Sequence, residues 1–177
     1  MTKWSNLRLI GHKNQSDIGD SNMDITFKTS EGKFNYRVCA VIINDDKILA
    51  MQDERSPYYY LPGGRVSLNE TAEKAILREI KEIDAKIVRP LWLNQGFFVE
   101  DVTGEKYHEL CIYFLIDISN TDLLEKGNKF RLIEREHTHD FEWIEFERLQ
   151  DEYIYPVFIK KKIFDLPDYL VLQDEHE

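Results

Sequence analysis

Apolar and polar positions along the chain alternate with two periods. Ile25-Thr26-Phe27-Lys28 and Phe34-Asn35-Tyr36-Arg37-Val38 flank the polar turn Ser30-Glu31-Gly32-Lys33, which predicts a β-hairpin. The apolar run continues from Tyr36 to Ile43. Asn44-Asp45-Asp46 is a turn signal, and Lys47 to Gln52 returns as a second strand. Asp53 to Pro57 is a loop, and Tyr58 to Leu61 a short aromatic strand that runs into Pro62-Gly63-Gly64. From Thr71, a candidate N-cap, the period lengthens to that of a helix reaching about Ile83. At 100° per residue, Ala72, Ala75, Ile76, Ile80 and Ile83 share one face, and Glu79 points into the middle of that stripe. A carboxylate there is costly unless it is paired or bound to a cation.

Beyond the helix, Leu91 to Glu100 and Lys106 to Asp117 predict two long strands joined at Thr103-Gly104. Thr121 to His139 is polar and charged and reads as a loop. Phe141 to Ile144 is a strand, Glu145 to Leu149 is helical, Pro156 to Phe164 is another helix, and the tail is acidic. Strands with helices set between and after them predict an α+β sandwich rather than a βαβ repeat. Residues 1–22 stand apart as an N-terminal extension, leaving 23–177 as a single domain.

Composition narrows the function. The 177 residues, 42% apolar and 32% charged, suit one soluble globular domain with a full core. A net charge of -10 argues against a nonspecific nucleic-acid or membrane binder. It leaves room for a polyphosphate bridged by divalent cations. Cys39 and Cys111 lie in strand-like apolar runs and read as reduced core thiols. No run approaches the ~20 apolar residues of a membrane span, and no signal peptide is evident. The expected location is the cytoplasm.

Gly64-x5-Glu70-x7-Arg78-Glu79-Ile80-x-Glu82 resembles the signature of the Nudix hydrolases, MutT-like proteins. Leu61-Pro62-Gly63-Gly64, the preceding strand pair and the strand near Trp143 extend the resemblance over roughly residues 24–165. It implies an α/β/α sandwich around a mixed β-sheet. It also implies Mg²⁺-dependent cleavage (Mn²⁺ as a substitute) of the pyrophosphate in a nucleoside diphosphate linked to another moiety, by a monomer or homodimer. Mg²⁺ suits that work because it takes carboxylate, carbonyl and phosphate oxygens. By resemblance Glu79, Glu82 and the Gly64 carbonyl bind metal, while Arg78 and Glu70 form a supporting ion pair. A further acid expected from a distant loop is Glu136, with Glu134 as second choice; Glu79 or Glu136 would serve as base. Glu134-Arg135-Glu136 reads equally well as a solvated charge run. His108, Glu109, His137 and His139 make no firm zinc arrangement. Arg55 is a candidate phosphate contact and Tyr58, Tyr59 and Tyr60 are candidates for stacking on a base, as are Phe97 and Phe98. Aromatic residues so placed are more often core.

The chain departs from the signature at three positions. Ile83 stands where a second acid is expected, Ala85 where a glycine is, and Lys86 where an aliphatic is. Ile83 fits the apolar stripe, and Asp84 is rotated about 100° away. Losing that carboxylate weakens divalent-ion binding. A second reading follows: a catalytically weakened or inactive Nudix-fold module that binds a nucleotide or a protein.

Overall fold

The computed structural model describes residues 23–81, 85–134 and 137–177. The N-terminal extension therefore lies outside the described residues, as do Glu82, Ile83, Asp84 and Glu136.

The predicted hairpin forms between β1 (Thr26–Lys28) and β2 (Lys33–Asn44). β2 organises the molecule. It pairs antiparallel with β3 (Lys47–Asp53) at one end, and parallel with β7 (Lys106–Asp117) over Lys33 to Ile42. β6 (Lys86–Val99) runs antiparallel to β7, and β11 (Val171–His176) runs parallel to β6. On the other side β3 pairs with β4 (Tyr59–Tyr60) and with β9 (His137–Glu145), and β4 pairs parallel with β10 (Ile154–Tyr155). The sheet is mixed.

Strand alternation sends β2 side chains into two cores. Val38, Ala40 and Ile42 face α1 (Ala72–Glu79), joining Ala72, Ala75, Ile76 and Ile80. Cys39 and Val41 face the opposite layer, with Trp92, Tyr113, and Ile159 of α2 (Ile159–Lys162). This is an α+β sandwich with a helix on each face of a mixed sheet. Cys39 and Cys111 are buried free thiols, with 3.5 Å between their Sγ atoms. Among the described residues, no helix is long and apolar enough to cross a membrane.

Several elements differ from expectation. Gly63-Gly64 is itself part of a strand: β5 (Gly63–Arg65) pairs antiparallel with β2, Gly63 opposite Cys39 and Gly64 opposite Val38. It passes so close that a Cβ on Gly63 would collide with the Val38 carbonyl and lie 2.8 Å from the Cys39 Cα. α1 ends at Glu79, with Ile80 as its C-cap, short of Ile83. The stretch Thr121 to His139 holds a 3₁₀ turn over Leu123–Lys126 and the strand β8 (Lys129–Glu134), which pairs with β9. Phe130 and Phe141 stack across that hairpin, and Arg131 pairs with Asp140, so cross-strand partners stabilise a segment whose polarity reads as loop. The helical Glu145 to Leu149 is a 3₁₀ turn over Arg148–Gln150, and the helix from Pro156 shortens to α2. The acidic tail is strand β11, because its backbone completes the edge of β6.

Candidate active site

Thr71 caps α1, its Oγ1 accepting from the Lys74 N–H at 3.3 Å. That start fixes the helix phase, which sets Arg78 and Glu79 at its last turn, facing β5. Glu79 does not lie in the middle of the apolar stripe. Ala72, Ala75, Ile76 and Ile80 are buried, whereas the Glu79 side chain is 24% exposed at the rim. Its carboxylate sits directly over Gly64, in the space a Cβ there would fill. The costly buried acid is thus avoided, because the absent side chain of Gly64 leaves a seat that opens toward solvent.

Arg78 locks this corner. Its Nε and Nη2 donate to Glu70 Oε1 and Oε2 at 2.9 and 2.8 Å, a two-pronged pair. Nη2 also donates to the Arg65 carbonyl at 2.9 Å, and Nη1 pairs with Glu79. Glu70 in turn accepts the Ser67 N–H at 3.0 Å. The Arg78 guanidinium holds the Glu70 carboxyl down at about 2, against the opposing effect of burial. One arginine therefore ties the loop before the helix, strand β5 and the Glu79 carboxylate together.

The corner opens into a cavity of about 910 Å³, lined by Glu79, Arg78, Arg55, Tyr58 and Tyr60 among others. Arg55 is engaged: its Nε donates to Asp53 Oδ2 at 3.1 Å and its N–H to Oδ1 at 2.9 Å. Burial pushes the Asp53 carboxyl up, and Arg55 more than reverses this. The Tyr58 hydroxyl donates to Glu100 Oε1 at 2.9 Å, and its ring makes edge contacts with Tyr60, Tyr153 and Tyr155. Burial, then Glu100, pushes the Tyr58 hydroxyl up to about 12. Tyr59 turns the other way, its hydroxyl donating to the buried Glu142 at 2.7 Å. It leaves the set of candidate stacking residues.

Gly64, Glu70, Arg78, Glu79, Arg55, Tyr58 and Tyr60 therefore converge on one corner and its cavity. Among the described residues no group of three or more His, Cys, Asp or Glu side chains forms a metal cluster. The donors there are the Glu79 carboxylate and the Gly64 backbone, hard oxygen groups that fit a divalent ion of the Mg²⁺ type. Glu82 and Glu136 lie outside the described residues, as does the Glu134 side chain. His108 sits near the start of β7, its ring against Phe34 and Phe97.

Residue-by-residue reading missed the cavity floor. Arg37, Asn35, Asn94 and Glu109 come from three strands separated widely in sequence and meet only through the β2–β7–β6 register. The signal that was present is the polar residues Asn35, Arg37 and Asn94 inside otherwise apolar strands.

A sequence profile described as the NUDIX domain matches residues 33–164. An ADP-ribose pyrophosphatase of Methanocaldococcus jannaschii is 33% identical over 89 residues, 49% of this chain and 52% of the relative. The chain thus spans about half the length of that curated relative. Among solved structures, a mutator MutT protein from Bacillus halodurans superposes with a TM-score of 0.52 at 12% identity, covering 80% of this chain and 89% of that one. An ADP-ribose pyrophosphatase from Streptococcus suis gives a TM-score of 0.51 at 12% identity, covering 80% and 98%. These two share the fold.

Proposed function

The chain belongs to the NUDIX family, and on that premise we propose that it hydrolyses the pyrophosphate linkage of a nucleoside diphosphate joined to another moiety. The observation that carries this reading is the Glu79 carboxylate seated over Gly64 and tied by Arg78 to Glu70. Glu79 and the Gly64 carbonyl would hold a divalent ion, Mg²⁺ or Mn²⁺, together with Glu82 and Glu136. A bound divalent ion supplies neutralisation of the diphosphate charge and polarises the P–O bond that breaks. Arg78 orients the Glu79 carboxylate, so that it does not have to reorganise when charge develops. Glu79 or Glu136 accepts the proton of the attacking water. Tyr58 and Tyr60 wall the cavity around the substrate's organic part, and Arg55, braced on Asp53, supplies positive charge at its mouth. The relative from M. jannaschii supports a nucleoside diphosphate sugar as the substrate class. The two free thiols support a reducing compartment such as the cytoplasm.

The test is a panel of ADP-ribose, nucleotide sugars, dinucleoside polyphosphates and nucleoside triphosphates, each with Mg²⁺ or Mn²⁺, scored by nucleotide release. Turnover of a diphosphate-linked nucleotide is expected, and Glu79→Gln is expected to lower it by at least ~100-fold. Unchanged rates in Glu79→Gln would refute the metal assignment.

One sequence feature favours a second reading, a member of the family that binds nucleotide and turns over little. Ile83 replaces an acid of the signature. A silent panel for the native chain, with turnover appearing in Ile83→Glu, would establish that reading instead.

A further inference from the structure

The cavity floor is built for recognition rather than for packing. β2, β7 and β6 lie side by side, with Arg37 opposite Cys111 and Cys111 opposite Asn94. Two residues along on the same face, Asn35 is opposite Glu109 and Glu109 opposite Gly96. Two polar rows therefore separate the apolar core at Trp92 and Tyr113 from the ring pair Phe98–Tyr107, stacked at 5.2 Å. Gly96 contributes no side chain to that row, and a Cβ there would lie 3.6 Å from Asn94 and Phe98.

Hydrogen-bonding capacity in these rows is unfilled. Among the described residues, Arg37 Nε and Asn94 Oδ1 are both buried with no partner. Among the described residues the Arg37 side chain makes no ion pair or hydrogen bond. Burial is the largest influence and works against its charge, but Glu109 together with Cys39, Cys111 and Tyr113 more than offsets it, so the guanidinium stays ionised. Among the described residues the Glu109 carboxylate accepts only a long bond of 3.4 Å, from Asn35. A buried donor and a buried acceptor left unmatched each forfeit the hydrogen bond that water would have made, a loss that a ligand supplying the complementary groups would recover.

The complement is a flat group with an acceptor beside a donor. A second phosphate would match Arg37 but would meet the carboxylates of Glu109, Glu175 and Glu177, which line the same cavity. A nucleobase carries adjacent acceptors and donors on its edge, arginine donating to the former and carboxylate or amide oxygen accepting from the latter. Its faces suit the Tyr58, Tyr60 and Phe98 rings. The position is right for the rest of the molecule too: Arg37 is opposite Arg65, next to the Val38–Gly64 pair that seats Glu79.

We propose that Arg37, Glu109 and Asn94 are the specificity residues that read the base edge of the nucleotide. This rests on the hydrolase reading for the identity of the cavity as the substrate site, but its test needs no turnover. Isothermal titration in EDTA would compare the four nucleoside 5′-monophosphates with ribose 5-phosphate, which lacks the base. The best monophosphate is expected to bind at least ~10-fold tighter than the abasic sugar phosphate. Arg37→Gln and Glu109→Gln are each expected to cut that ratio to below ~3-fold, with thermal unfolding run alongside. Should Arg37→Gln fail to fold, Glu109→Gln decides. Equal binding of the abasic compound by the native protein would overturn the proposal, and so would a base advantage that survives substitution. A protein that binds bases in this way but hydrolyses nothing leaves the proposal standing and removes only the hydrolase reading.

Discussion

Gly63 and Gly64 are neighbours whose missing side chains serve different ends. A Cβ on Gly64 would overlap the Glu79 carboxylate, the tip of a flexible side chain that can swing away. Gly64→Ala is therefore expected to keep the fold, with a melting temperature within a few degrees of native. It should also displace Glu79 and lower activity at least ~10-fold. A Cβ on Gly63 meets the backbone of Val38 and Cys39, in a strand buried between two cores. Gly63→Ala should instead destabilise by about 1–3 kcal/mol, as overpacking does, readable as a shifted urea midpoint. Equal effects of the two substitutions on stability would refute this division. The signature makes both glycines conspicuous in the sequence, yet spacing alone does not distinguish a strand passing close to another from an open loop. That distinction depends on where β2 runs. The same holds for Glu79, whose helical phase points toward the stripe while its long side chain reaches back to the rim.

Elements with one clean period were legible in the sequence: the β1–β2 hairpin, β3, the β6–β7 pair and the start of α1. Those that depend on a partner were not. β8 and β11 are short and charged, and each is a strand because another strand offers its edge. α1 illustrates how little of an element's stability is local. It has eight residues, too few for an isolated helix, so the Thr71 cap and the buried Ala75 and Ile76 hold it in place. Ile76 is fully buried in the α1-side core. Ile76→Ala should cost about 2–5 kcal/mol, whereas Thr71→Ala should cost about 0.5–2 kcal/mol. Denaturant titration of both would check the order. A larger loss from the cap would mean that α1 is held by its terminus rather than by its face.

On the scale of the whole molecule, three carboxylates among the described residues are held far below the ordinary range, and they sit far apart in the chain. Glu70 is brought to about 2 mainly by the Arg78 hydrogen bond. For Glu100 and Glu142 burial pushes upward, and hydrogen bonds bring both down to about 2. Glu142 is the one inside the sheet. It is buried and accepts from Tyr59 at 2.7 Å and Arg148 at 2.6 Å, and pairs with Lys129 at 2.9 Å, joining β9 to β4, β8 and the turn after β9. A carboxyl whose folded pKa is depressed binds protons more readily in the unfolded chain. Its contribution is complete above the unfolded value near 4.5 and is lost as pH falls toward 2. Stability should therefore decline steeply from pH 4.5 to 2, with these three acids acting together. Glu142→Gln removes one of them while preserving shape. It should lower stability at pH 7 by about 1–3 kcal/mol, since its hydrogen bonds are to charged groups, and make the acid limb shallower. Urea unfolding across pH 2–7 for both proteins tests this: parallel acid limbs would mean that Glu142 is not among the groups whose protonation unfolds the chain.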